Sequence, residues 1–282
     1  MAFTMAELPL ALFTTLSPVG VGAFVALALA FCTHAFTPEQ AKKIDRFTVI
    51  PLLLVAVGFI CSFFHLAAPM NVMGVFAGVG SSPLSNEIVA GCIFTVVAIV
   101  YWIVAMTGKL AGGARKGFVA VVAILAIVFA VFTGLAYGIR TIPTWGTPFV
   151  PVQVLGLALA GGSAVAALVL ALAGAAKDAG KGIFCLAAVG VILAVIGVAG
   201  QAMTAGGLIN ATASGAAQAA GALIPGAAGV VLIVVAALLC LPALKKGSAA
   251  MGGLAAVLGL VGVFCCRLAF YAMQLSVGIY FN

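Results

Sequence analysis

The chain has 282 residues, of which 66% are hydrophobic and only 6% charged. A soluble domain of that length needs far more polar material for its surface, so the composition indicates a helical membrane protein. The net charge of +7 is no nucleic-acid signal, because the basic residues are dispersed over short connections between apolar runs.

The pattern predicts an all-α integral membrane protein, one domain over residues 1–282 with eight transmembrane helices. The first covers residues 8–31, and Glu7 is the only charge before it. A secretory signal has a basic start, and no Lys or Arg precedes Lys42, so this helix is expected to be retained. A loop at 33–46 leads to the second span at 47–64, which ends at His65. The third and fourth spans are expected at 86–106 and 117–137, the fifth and sixth at 150–175 and 182–203. The last two are expected at 222–241 and 249–271. Each approaches the ~20 residues that cross ~30 Å of hydrocarbon.

Sidedness follows from the basic residues. Lys42, Lys43 and Arg46 share one connection; Lys109, Arg115 and Lys116 share another. Lys177 with Lys181, and Lys245 with Lys246, occupy two more. These connections alternate with ones that carry almost no positive charge. Lys and Arg are retained on the cytoplasmic side, so both termini are expected to be extracytoplasmic. The connections at 65–85, 140–149 and 204–221 then face outward. They are too apolar for free solvated loops, and are expected to fold over the helix ends or lie in the interface as short helices. The abundant glycine, 35 residues, suits close helix packing in a membrane.

Cys32, Cys61, Cys92, Cys185, Cys240, Cys265 and Cys266 show no CxxC spacing, and mostly lie in apolar runs. They read as inert thiols, with none of the grouping an iron–sulfur cluster needs. His34 and His65 fall at opposite faces, which argues against a haem held by two histidines. No haem or metal is expected on this polypeptide.

The costly polar residues converge on the outer face. His65 can take a proton near neutral pH, or can be a solvated interfacial residue. Glu87 stands where the third span begins. With Ser85 as the cap, it either suits the helix dipole in the first turn or faces the bundle as a proton acceptor. Arg267 is the one basic residue inside an apolar run. It either snorkels to the headgroups or pairs with Glu87 or a bound polar head. Arg140 and Trp145 share an outer connection, and a tryptophan there is ordinary. Together His65, Glu87, Arg140, Trp145 and Arg267 provide what a quinol head group requires: proton acceptors, a donor to hold an oxygen, and an aromatic wall. The isoprenoid tail requires a gap between helices that opens to lipid.

Gly58-Phe59-Ile60-Cys61-Ser62, then His65-Leu66 to Pro69, and Ser82-Pro83-Leu84-Ser85-Asn86-Glu87-Ile88 resemble the membrane anchor subunit of bacterial dimethyl sulfoxide reductases. Pro143-Thr144-Trp145 and Arg267-Leu-Ala-Phe270-Tyr271 add to the likeness, as do the spacing and the eight-helix plan. The resemblance implies an anchor in the bacterial cytoplasmic membrane, multi-pass and without haem, that oxidises menaquinol. It implies two partners, an iron–sulfur electron-transfer subunit and a molybdopterin catalytic subunit. Electron tunnelling needs short distances, so the nearness of the expected site to the outer face places them on the extracytoplasmic side. His65 and Glu87 match the positions associated with quinol oxidation. Ala67, Arg140, Trp145, Arg267 and Tyr271 complete the expected quinol-binding set. The family pattern has Gly where this sequence has Ala67, which narrows the approach of a ring to that backbone. Rival readings are a secondary transporter for a small polar solute, a structural anchor without redox residues, and the anchor of a related polysulfide, tetrathionate or nitrite reductase. Transporter sites lie near the midplane, and clustering at one face disfavours that reading.

Overall fold

The computed structural model describes residues 7–64, 69–110, 112–210 and 213–277, with the side chains of 69–73 and Asp178 left aside. His65 and Ala67 therefore lie outside the described residues. Among the described residues, eight helical spans are long and apolar enough to cross a membrane. No strand occurs among the described residues, where Ile209 and Ser214 make an isolated bridge. The protein is a multi-pass membrane protein.

The first helix, α1 (Leu8–Thr33), starts with a proline in its first turn and contains Pro18. Proline lacks an N–H, so the carbonyl of Thr14, one turn earlier, loses its helical donor. The expected loop at 33–46 is largely helix instead: α2 (Pro38–Phe47) opens on a capping box formed by Thr37 and Gln40. Glu39 and Lys43 pair along its exposed face at 3.0 Å, while Ala41, Ile44 and Asp45 are buried. A sequence reading from hydropathy alone misses α2 because only one stripe of it is apolar. Thr48 interrupts the helix before α3 (Val49–Phe63), and α2 and α3 together form the second span, Pro38–Phe63.

A 3-10 helix (Pro69–Gly78) crosses the next connection, as expected of a short interfacial element. α4 (Pro83–Met106) follows, and its cap is Ser82, not Ser85. α5 (Gly112–Leu135), α6 (Phe149–Leu172) and α7 (Ala176–Gly206) come next. α8 (Gly215–Lys246) stops at Gly247, whose φ of 65° is the left-handed form that ends helices without strain in glycine. α9 (Ala249–Ala272) is capped by Ser248. The spans α7 and α8 run longer than their apolar cores, because Ala and Gly continue the helix where hydropathy fades. The expected connection at 204–221 is therefore shorter, since α7 runs to Gly206 and α8 begins at Gly215.

α1 and α6 form the buried centre of the bundle, and the other spans present apolar side chains outward. The contact between these two helices is backbone to backbone. A Cβ at Gly22 would lie 1.8 Å from the Ala158 carbonyl oxygen, and one at Gly162 would lie 2.2 Å from the Gly22 carbonyl carbon. On the other side of α6, a Cβ at Gly156 would lie 2.2 Å from the Ala194 nitrogen of α7. Lipid gives helices no hydrophobic reason to associate, so such close dispersion contacts carry much of the packing.

One end of the bundle carries the basic connections, and a buried lock sits there. The Asp45 carboxylate, with no solvent exposure, accepts from the Tyr101 hydroxyl of α4 at 2.5 Å. Its other oxygen takes Nε and Nη2 of Arg115 at 3.1 and 3.0 Å. The guanidinium also lies 5.8 Å from the centroid of the Phe31 ring. Asp45 thus joins α2, α4 and α5 beside the end of α1. Sequence reading passed over it because it stands among Lys42, Lys43 and Arg46.

Replacing Gly22 by Val is expected to prevent accumulation of folded protein, because backbone on both sides has no room to yield. Gly113→Val, where a Cβ meets nothing within 4 Å, should leave the folded yield near that of the parent; size-exclusion profiles in detergent compare the two. Asp45→Ala strands Arg115 largely buried and should cost about 3 kcal/mol. Thermal unfolding in detergent reads that loss.

Candidate functional site at the end opposite the basic connections

At the other end of the bundle, Arg267 of α9 is fully buried. It does not snorkel, because α1, α6 and the turn after α5 enclose it. Nε donates to the Thr14 hydroxyl at 3.0 Å and Nη1 to Oε1 of Gln153 at 3.1 Å. Nη2 reaches the Tyr271 hydroxyl, one turn along the same helix, at 3.5 Å. The flat face of the guanidinium lies 3.9 Å from the Phe270 centroid, and the Tyr137 and Tyr271 rings are 5.1 and 5.2 Å away. A buried cation is expensive, and cation–π contacts with neutral acceptors offset part of that cost. Arg267 makes no ion pair among the described residues, so the expected pairing with Glu87 is replaced by hydroxyl, amide and ring partners.

The network extends sideways through amides. Gln153 Nε2 donates to Gln201 Oε1 at 3.3 Å, and Gln201 Nε2 to the Thr144 carbonyl at 3.4 Å. The Tyr271 hydroxyl also bonds the Thr14 hydroxyl at 3.2 Å and the Tyr137 hydroxyl. Trp145 is buried inside the protein. Its ring stacks on Phe270 at 5.2 Å, and Nε1 donates to the Phe270 carbonyl at 3.3 Å. The connection 136–148 thus folds back into the bundle, as expected of it. Leu275 N donates to the Thr144 hydroxyl at 3.1 Å and ties the segment after α9 to the same connection. Arg140 lies on the exposed side of that connection, away from the buried cluster.

Glu87 stands at the fifth position of α4, past the first turn, and is buried. Capping therefore does not explain it. Its Oε1 makes no hydrogen bond. Thr133 of α5 is its polar neighbour, and it feels the field of Arg267. The Thr133 hydroxyl is itself buried without a hydrogen bond. One turn further along α4, Gly91 lets Phe59 and Phe129 close in, since a Cβ there would lie 2.6 and 2.9 Å from those rings. Phe59 and Phe129 stack at 5.7 Å with their planes 5° apart, and Phe13 and Phe94 extend the row. A carboxyl with an open lone pair therefore stands above an aromatic floor.

The structure brings Glu87, Arg267, Tyr271 and Trp145 to one end of the bundle and leaves Arg140 at its surface. Sequence reading missed Thr14, Thr133, Tyr137, Gln153 and Gln201. Gln153 and Gln201 were visible as amides inside apolar runs, and membrane helices rarely carry such groups without partners. The hydroxyls had no such signal, because Thr can satisfy itself on its own helix, as Thr14 does on the Leu10 carbonyl at 2.9 Å.

The two charges differ in what they hold. Arg267→Ala removes the partner of two helices, leaves a cavity and strands Thr14 and Gln153, and should destabilise the fold by about 2–5 kcal/mol. Glu87→Gln breaks no hydrogen bond at Oε1 and is expected to cost less stability than Arg267→Ala. Thermal midpoints of the two variants in the same detergent test the contrast.

Comparison with known proteins matches this architecture. The family described as DMSO reductase anchor subunit matches residues 1–273. The C subunit of the anaerobic dimethyl sulfoxide reductase of Escherichia coli is 31% identical over 282 residues, which cover 97% of this sequence and 96% of that protein. A second anaerobic dimethyl sulfoxide reductase subunit of the same species, YnfH, is 30% identical over 283 residues, at the same coverage of 97% and 96%. The C subunit from Haemophilus influenzae is 35% identical over 139 residues, 49% of this sequence and 50% of its own length. The protein belongs to the family of dimethyl sulfoxide reductase anchor subunits.

Proposed function

We propose that this protein is the membrane anchor of a dimethyl sulfoxide reductase-type complex, that it oxidises menaquinol, and that it passes the electrons to an iron–sulfur partner subunit. The observation that carries the reading is the buried carboxyl of Glu87, with Oε1 unpartnered above the Phe59–Phe129 floor. Ionisable groups at membrane depth are costly, and one that keeps an oxygen out of the hydrogen-bonded network is a candidate for chemistry. Membership of the anchor family supports the role in a complex with catalytic and electron-transfer subunits. The molybdopterin group and the iron–sulfur clusters belong to those partners.

The substrate is a lipid-soluble quinol, and the surroundings of Glu87 suit one. Phe64 and Leu84, at the ends of α3 and α4 nearest to it, are 77% and 53% exposed. Such a side can face acyl chains, and a ring entering there meets the carboxyl at its head and phenyl rings beneath. Oxidation breaks two O–H bonds. Glu87 accepts one proton and His65 the other, and two electrons leave one at a time toward the electron-transfer subunit. Quinol becomes quinone, and both protons depart at the same end of the bundle. That end is the extracytoplasmic one if the basic connections are cytoplasmic, and the partners then dock there. Arg267 keeps its bonds throughout and fixes the position of the wall formed by Phe270, Trp145 and Tyr271. Arg140, on the surface of the same end, is left to meet a headgroup or a docked partner.

Glu87→Gln and His65→Gln should each lower menaquinol-dependent turnover at least ~100-fold. Assembly of the complex, read by co-purification, should be unchanged, and reduction of the acceptor by an artificial electron donor should persist. Normal quinol-dependent turnover in both variants would overturn the proposal.

A further inference from the structure

A second polar site lies at the basic end, far along the bundle from Glu87. There the end of α1, the start of α7 and the end of α8 enclose a cavity of about 290 Å³. Lys177 and Lys181 enter it from α7, Lys245 from α8, and His34 from the end of α1. Leu241 and Leu244 form its apolar wall. The described lining residues include no carboxylate, and none of the three lysines makes an ion pair among the described residues.

Three ammonium groups around one cavity repel one another. Lys245 has a partial compensation, since the last turn of α8 favours a cation. Lys177 leans the same way, with its Cε 4.0 Å from where a Cβ of Gly247 would stand. Lys181 has none among the described residues: it and Lys177 occupy the first two turns of α7, where the helix dipole disfavours positive charge. An anion in the cavity removes the conflict. His34 adds a ring whose Nδ1 is engaged by the Thr33 hydroxyl at 2.8 Å, leaving Nε2 outside that bond.

The same two helices present apolar surface just beyond the lysines. One turn above Leu241 on α8, Leu238 is 56% exposed, and Ile192, about three turns above Lys181 on α7, is 58% exposed. A ligand that fits both parts carries a phosphate at one end and hydrocarbon at the other. We infer that the cavity between α1, α7 and α8 binds the phosphodiester headgroup of an anionic phospholipid, with its acyl chains along the outer faces of α7 and α8. Basic pockets between membrane helices recognise such headgroups.

The test uses the full-length protein in zwitterionic detergent, titrated with phosphatidylglycerol or phosphatidylcholine and read by native mass spectrometry. Phosphatidylglycerol is expected to be retained at least ~tenfold better than phosphatidylcholine. The triple variant Lys177→Gln, Lys181→Gln, Lys245→Gln should lose that preference. Lys42→Gln, Lys43→Gln, Lys116→Gln removes equal charge outside the cavity and should keep it. If the first triple variant does not fold, Lys181→Gln alone is expected to weaken retention severalfold. Equal retention of both lipids, or equal loss in the two triple variants, would sink the assignment. Displacement by inorganic phosphate at the same concentration would do so too, because it would mean a soluble anion without acyl tails.

Discussion

The approach of α1 to α6 at Gly22 and Gly162 sets where everything else can stand. With no side chain between them, the two helices hold Thr14 and Gln153 close enough for one guanidinium to bond both. Neither residue alone could accommodate Arg267 in a low-dielectric interior. The cation is tolerable because α1 and α6 both stand within its reach, and the rings of Phe270, Tyr137 and Tyr271 close over it. Polar satisfaction in this bundle thus follows from small-residue packing.

The bundle is locked at both ends by different chemistry. At the basic end Arg115 meets a carboxylate, Asp45, and a phenol, Tyr101, shares that carboxylate. At the far end Arg267 meets only neutral acceptors, while the nearby Glu87 keeps Oε1 out of the hydrogen-bonded network. A carboxyl bonded like Asp45 would be committed to structure. Glu87 Oε1 carries no such commitment, and the proposed quinol site rests on that difference.

Much of this was legible in the sequence itself. The positions of the eight spans, and the convergence of Glu87, Arg267, Trp145 and Tyr271 on one end, follow from hydropathy and from where lysine and arginine stand. The lengths of α7 and α8 did not, because runs of Ala and Gly read as neutral whether they form helix or turn. α2 was hidden because half of its surface is charged. Which atoms Arg267 touches was beyond any one-dimensional pattern: Thr14 and Gln153 come from 253 and 114 positions away.

The protein has two tryptophans, and they stand near opposite ends of the bundle. Trp102 follows the Asp45-bonded Tyr101 on α4, whereas Trp145 is stacked on the phenyl ring that covers Arg267. Each indole therefore emits from a distinct electrostatic setting. Exciting a protein that keeps only Trp145 would give an optical report on one compartment of the bundle, free of signal from the other.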